Sequence, residues 1–187
     1  QPLTCGQTVF GKAWNNTTTR DTDWYTFTIN TPGTATWTAT AEFPFTIYFI
    51  NNSDCTNPIV LASATGASCQ TATATYNFTT AGTYVAFIAP TNFTGSPCGT
   101  FNDYSATLSL PASTPVLSAA GPTAICPAGS VVLNATQTGT FQWFNGTTPV
   151  AGASTSSITA TTTGTYTAQV TNSNGCLGPL SAPISVT

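Results

Sequence analysis

The side chains able to do acid–base or metal chemistry in this sequence are few and scattered. Carboxylates stand at Asp21, Asp23, Glu42, Asp54 and Asp103, the cations are Lys12 and Arg20, and histidine is absent. Catalysis needs groups that titrate usefully or hold a metal, and no serine, threonine or cysteine here has a histidine to activate it. Asp21 and Asp23 form the only close acidic pair. Calcium takes about six to eight oxygens, so two carboxylates fall short, and a turn role beside Arg20 suits them better. Two cations cannot make a basic patch, which excludes nucleic acid as a partner. The expectation is a protein with no catalytic residue, no metal and no cofactor, and so not an enzyme.

Cysteine supplies the remaining chemistry. Cys5, Cys55, Cys69, Cys98, Cys126 and Cys176 contain no C-x-x-C pair, and without histidine a zinc site is excluded. The chain begins at Gln1 and lacks methionine, which reads as a mature product after signal removal. No apolar run approaches the ~20 residues that span a bilayer. An extracellular or cell-surface location follows, and there an even cysteine count reads as three disulfides. Cys126 and Cys176 are left to pair in the C-terminal part, and Cys55 and Cys69 bracket a short excursion. Cys5 and Cys98 pair by elimination. Loop closure assigns about 3 kcal/mol to the short bridge and about 4 kcal/mol to the 126–176 bridge.

These groups are carried on strands. No helical period persists, whereas runs such as 24–29, 35–39, 84–88, 141–144 and 166–170 alternate and are punctuated by Gly, Pro and Asn. Only 4% of residues are charged, against about 25% in a typical domain. Threonine, about one residue in five, replaces charge with hydroxyls on a β-favouring side chain. Such a face is a neutral solvated surface, or one dressed with glycan or buried against other subunits. Pro111, Pro115 and Pro122 mark a lapse in the pattern, which reads as a semi-rigid linker over 112–123 between domains 1–111 and 124–187.

Residues Asp21-Thr22-Asp23-Trp24-Tyr25-Thr26-Phe27, Ala81-Gly82-Thr83-Tyr84-Val85 and Asp103-Tyr104-Ser105-Ala106-Thr107-Leu108 resemble the bacterial pre-peptidase C-terminal domain. That resemblance implies a jelly-roll-type β-sandwich. Cys126 to Leu133, Phe141-Gln142-Trp143-Phe144-Asn145-Gly146 and Gly164 to Val170 resemble an immunoglobulin-like repeat of bacterial adhesins, which implies a second sandwich. Trp143 would be its core tryptophan and Tyr166 its tyrosine corner, with Ala168 where antibody-type domains carry a cysteine. The expected fold class is all-β, two β-sandwich domains in tandem.

The function expected is that of a structural subunit of an extracellular bacterial fibre or appendage, its partners being copies of itself joined head to tail. Gln1, Pro2 and Leu3, or Val116 and Leu117, are the segments expected to add to a neighbour's sheet. The alternative is an adhesin or carbohydrate-binding module cut from a larger secreted protein, with Trp14 or Trp37 as an aromatic platform for glycans. Against that, tryptophan is mostly buried, and Trp24 and Trp143 are expected in the cores. Acceptor sequences for N-glycan occur at Asn15, Asn16, Asn51, Asn77, Asn92, Asn134 and Asn145.

Overall fold

Alternation of small or aromatic apolar residues with threonine produces strands that bury one face and hydrate the other. In the computed structural model residues 1–15, 18–52, 57–92 and 102–187 are described. They fall into two units, Gln1–Pro111 and Ala112–Thr187. Both units are all-β, and among the described residues no helix is long and apolar enough to cross a membrane.

Among the described residues the first unit has eight strands: β1 (Thr8–Lys12), β2 (Asp23–Ile29), β3 (Gly33–Ala41), β4 (Phe45–Asn51), β5 (Ile59–Gly66), β6 (Thr71–Phe78), β7 (Gly82–Pro90) and β8 (Asp103–Ser109). They form two antiparallel sheets, ordered β1-β8-β3-β6 and β2-β7-β4-β5. This is the strand order of a jelly roll. Ala35, Trp37 and Ala39 of β3 point inward and are essentially inaccessible, while Thr36, Thr38 and Thr40 point outward. Trp37 Nε1 donates to the Phe87 carbonyl at 3.1 Å, which ties β3 of one sheet to β7 of the other. Phe27, Phe49, Phe78 and Tyr84 fill the core with ring centroids 4.5–6.1 Å apart, the range in which tilted aromatic pairs add to area burial.

In the second unit β9 (Leu117–Ala119), β10 (Val131–Ala135) and β13 (Ser157–Ala160) form a sheet ordered β13-β10-β9. A second sheet, β12-β11-β14-β15, is made by β11 (Thr140–Asn145), β12 (Thr148–Pro149), β14 (Gly164–Thr171) and β15 (Ile184–Val186). Its core gathers Val131, Leu133, Phe141, Trp143, Tyr166, Ala168 and Val170. The stretch 112–123, expected as a linker, belongs to this unit: Leu117–Ala119 pair antiparallel with Leu133–Ala135 of β10. Prolines flank that short strand without interrupting it, and proline is tolerated at strand ends and edges.

The two units share a local device. Tyr84 OH donates to the Thr80 carbonyl at 3.0 Å, and Tyr166 OH donates to the Thr162 carbonyl at 3.0 Å. With each phenol proton so used, Thr80 Oγ1 and Thr162 Oγ1 donate to the phenol oxygens, both at 2.9 Å. The repeated T-x-G-T-Y sequence at 80–84 and 162–166 thus builds a tyrosine corner at the start of β7 and again at the start of β14.

Trp24 departs from expectation. It lies 43% exposed, because β2 buries Tyr25, Phe27 and Ile29 and strand parity sends Trp24 to the opposite face. There it packs edge-on against Phe87, centroids 5.0 Å apart, with Tyr48 on the other side of Phe87 at 5.4 Å.

Candidate functional site

Charge and polar architecture concentrate at one end of the β1-β8-β3-β6 sheet. Register places Lys12 opposite Asp103, and their side chains form an ion pair. This bond to the Asp103 carboxylate holds the Lys12 ammonium above its ordinary value. Both partners are well exposed, so the pair adds little stability. Glu42 joins through the backbone: its Oε2 accepts from Asp103 N at 3.1 Å, and its own N–H donates to the Asp103 carbonyl at 2.9 Å.

Beneath this pair runs a chain of hydroxyls. Tyr104 OH donates to Asp23 Oδ2 at 2.6 Å. Its single proton being spent, the 2.6 Å contact with Tyr25 has Tyr25 OH as donor and the Tyr104 oxygen as acceptor. Burial, and then the bonds to Asp23 and Tyr25, push the Tyr104 phenol far above its usual range. Burial likewise raises the Asp23 carboxyl; the Tyr104 bond opposes that shift, and the nearby Asp21 charge adds to it. Tyr104 lies across Gly11, its cross-strand partner on β1. A Cβ at position 11 would overlap the Tyr104 Cζ and hydroxyl, so only glycine admits the ring there.

The raised Asp23 value makes stability depend on pH. A carboxyl that holds its proton more tightly folded than unfolded favours folding most below the unfolded pKa. That advantage is lost as pH rises through the folded value. Urea unfolding of the wild type should therefore weaken relative to Asp23→Asn between strongly acid and neutral pH. Parallel stability curves for the two proteins across that range would remove Asp23 as the source.

Phe10 stands 80% exposed on the outer face of β1. It walls a cavity of about 340 Å³ shared with Thr40, Glu42, Cys69, Asp103 and Ser105, and a second of about 300 Å³ shared with Lys12 and Asp103. From Phe10 the register lays out rows of hydroxyls across the sheet. Ser105, Thr40 and Thr71 continue the Phe10 row; Thr8, Thr107, Thr38 and Thr73 form the next; Ser109, Thr36 and Thr75 form a third. Cross-strand hydroxyl contacts join Thr8 to Thr107 at 2.8 Å, Thr38 to Thr73 at 3.0 Å and Thr40 to Thr71 at 2.9 Å. Neighbouring strands lie about 4.8 Å apart and same-face residues about 6.8 Å apart along a strand, so ten hydroxyls occupy a regular grid free of charge.

Other expected site residues fall as follows. Asp21 Oδ1 accepts from Thr22 N at 2.9 Å, a turn role, and Arg20 reaches the Pro90 carbonyl at 2.9 Å. Trp37 is core and no platform, while Trp14 is 38% exposed. Asn15 is buried with its amide donated to the Asn92 carbonyl at 2.7 Å. The Asn145 amide reaches Thr162 and Thr163 and abuts Gly164; neither amide points freely outward for a sugar. Asn77 and Asn92 are exposed, Asn51 and Asn134 half-buried, and Asn16 lies outside the described residues.

The cysteine pairing is corrected. Cys5 and Cys176 each belong to a disulfide, but Cys69 and Cys126 are free, exposed thiols. The 126–176 and 55–69 bridges are therefore not made. Cys176 is 2% exposed, its N–H held by Asn172 Oδ1 at 3.1 Å, whereas Cys126 sits outward in a turn closed by Gly129. Cys55 and Cys98 lie outside the described residues. The expected assembly segments are also engaged. Leu3 N donates to the Thr26 carbonyl at 2.7 Å and Thr26 N to the Gln1 carbonyl at 2.9 Å, so Gln1, Pro2 and Leu3 cover the chain's own β2 edge. Val116 N–H bonds Gln137 and Leu117 belongs to β9.

No family model and no curated protein matches the sequence. Among solved structures, the chain is similar to the pre-peptidase C-terminal domain of collagenase from Bacillus anthracis, at 16% identity over 57% of this chain and 91% of that one, TM-score 0.43. It is also similar to the Endo-D glycoside hydrolase domain from Streptococcus pneumoniae R6, at 10% identity over 96% of this chain and 33% of that one, TM-score 0.39. A β-1,2-glucanase from Parabacteroides distasonis matches at 13% identity over 83% and 28%, TM-score 0.25.

Proposed function

We propose that this chain is a non-catalytic structural subunit of an extracellular bacterial fibre or surface appendage, whose copies join through β-strand edges. The observation that carries the reading is the pair of edge strands β5 and β6. Each is eight residues long, ends its own sheet, and contains neither charge nor proline. Natural proteins ordinarily guard such edges with lysine, proline or short strands, because unpaired backbone groups template pairing with another chain. Here Ile59 and Val60 of β5 are each 54% exposed, which adds apolar area to the unpaired edge. Sequence 112–187 has no charged side chain at all, so the second unit's edges carry no such guard either. Cys5 and Cys176, each held in a disulfide, suit an oxidising, extracellular setting. The second unit is read as immunoglobulin-like from its buried Trp143 and its tyrosine corner.

Because Gln1–Leu3 is already paired on β2, the contact assigned here is edge to edge at β5 and β6 rather than donation of a free arm. Electron microscopy of the wild type should show regular filaments. Ile59→Lys/Val60→Lys places two charges at the edge and should leave particles of monomer size with an unchanged circular dichroism spectrum. A wild type that stays dispersed at high concentration, or filaments that persist in the lysine variant, would reject the edge reading.

A further inference from the structure

We propose that the outer face of the β1-β8-β3-β6 sheet binds a neutral polysaccharide, with one sugar ring seated against Phe10 and the chain continuing over the hydroxyl grid. This surface is distinct in composition from the apolar β5 edge and does not depend on the fibre reading.

The first observation is Phe10 itself. An aromatic side chain left 80% exposed on a sheet face otherwise covered with hydroxyls is not packing against its own domain. Its ring offers a flat apolar surface, which is what the C–H face of a pyranose needs. The adjoining cavity, about 340 Å³, falls in the range of small-ligand sites, about 300–1,000 Å³.

The second observation is which residues border that cavity. Glu42, Asp103, Thr40 and Ser105 lie around it with the apolar Phe10 and Ala41. Carboxylates accept hydrogen bonds from neutral hydroxyl donors more strongly than neutral oxygens do. A sugar presents a ring of such donors beside an apolar face. The single cation nearby, Lys12, is engaged with Asp103, so the site has two carboxylates and no unopposed positive charge. That balance repels acidic polysaccharides and phosphorylated ligands and selects a neutral one.

The third observation is continuity. Beyond the cavity the sheet presents hydroxyls in register across β1, β8, β3 and β6. In a pair such as Thr38–Thr73 one proton bridges the two oxygens, leaving one donor and several lone pairs outward. A hydroxyl-rich polymer can exchange its bonds to water for bonds to this grid with little penalty for unmatched charge. The spacing between strands, about 4.8 Å, is comparable to the length of a pyranose unit, so successive residues of one chain lying along a row meet successive strands.

Affinity gel electrophoresis tests this directly, using galactomannan, xyloglucan and mixed-linkage β-glucan as neutral probes, alginate as an acidic one, and pull-down on cellulose and chitin. Retardation or capture by at least one neutral polymer and none by alginate is expected. Phe10→Ala should weaken that binding at least tenfold, and Thr38→Val/Thr73→Val, which keeps shape and β-branching, several-fold. Both variants should melt as the wild type does, since Phe10 and the two threonines lie outside the core. Failure of every neutral probe, preference for alginate, or binding unmoved in both variants would overturn the proposal. A change of oligomeric state in these variants without polysaccharide binding would instead assign the face to contact between copies. Ile59→Lys/Val60→Lys should leave the binding intact, which separates this site from the assembly edge.

Discussion

Trp143→Ala is expected to unfold the second unit. Trp143 is wholly inaccessible, stands beside Phe141 with centroids 6.4 Å apart, and donates from Nε1 to the Thr155 carbonyl at 2.9 Å. Replacing a buried tryptophan by alanine costs about 3–5 kcal/mol in transfer and cavity terms. The lost hydrogen bond adds about 1 kcal/mol. A domain the size of Ala112–Thr187 holds only about 4–11 kcal/mol in total, so the loss takes from about a third to all of it. Limited proteolysis should then cut within 112–187. Trp143→Phe, which keeps most of the volume, should cost roughly half as much on the same scale. A Trp143→Ala protein that resists protease like the wild type would show that Trp143 is not the centre of this core.

Much of this architecture is legible in the sequence because strand parity is a local property. In β3 the run Ala35-Thr36-Trp37-Thr38-Ala39 states which residues face inward, and burial follows it residue by residue. The same parity rule, applied to β2, would have placed Trp24 outside with Thr26 and Thr28; the general tendency of tryptophan toward burial obscured it. Cross-strand register is not local, and what depends on it was not readable. Thr8, Thr107, Thr38 and Thr73 lie in one row only because β8 runs between β1 and β3, which no spacing along the chain reveals. Tyr104 over Gly11 is hidden for the same reason, although a lone glycine within a strand pattern is a signal of close approach. Cysteine pairing fails as arithmetic: parity and a domain boundary say which thiols could pair, and burial and turn geometry decide which do. Phe10 carried a weak signal, an aromatic residue out of phase with Val9, the one inward residue of β1 whose burial is plain.

Gly11→Ala is the second large effect expected, and its partner residue identifies the cause. The added methyl would lie 2.6 Å from Tyr104 Cε1 and closer still to Cζ and the hydroxyl. A flexible exposed side chain would swing aside, but Tyr104 is 4% exposed and held at its tip by Asp23 and Tyr25. Moving the ring breaks a bond to a buried-side carboxylate, about 1.5–3 kcal/mol, and strands the Tyr25 hydroxyl, about 1–3 kcal/mol. A loss of about 2.5–6 kcal/mol in urea unfolding is therefore expected, concentrated in the first unit. In a Tyr104→Ala background the obstruction is gone, and alanine in a strand interior is favoured over glycine by about 0.5–1 kcal/mol. The sign of Gly11→Ala should then reverse, giving a coupling of several kcal/mol in the double-mutant cycle, well above the ~0.5 kcal/mol within which independent sites add. Equal costs in both backgrounds would mean that β1 backbone strain, and not the ring of Tyr104, sets the requirement for glycine.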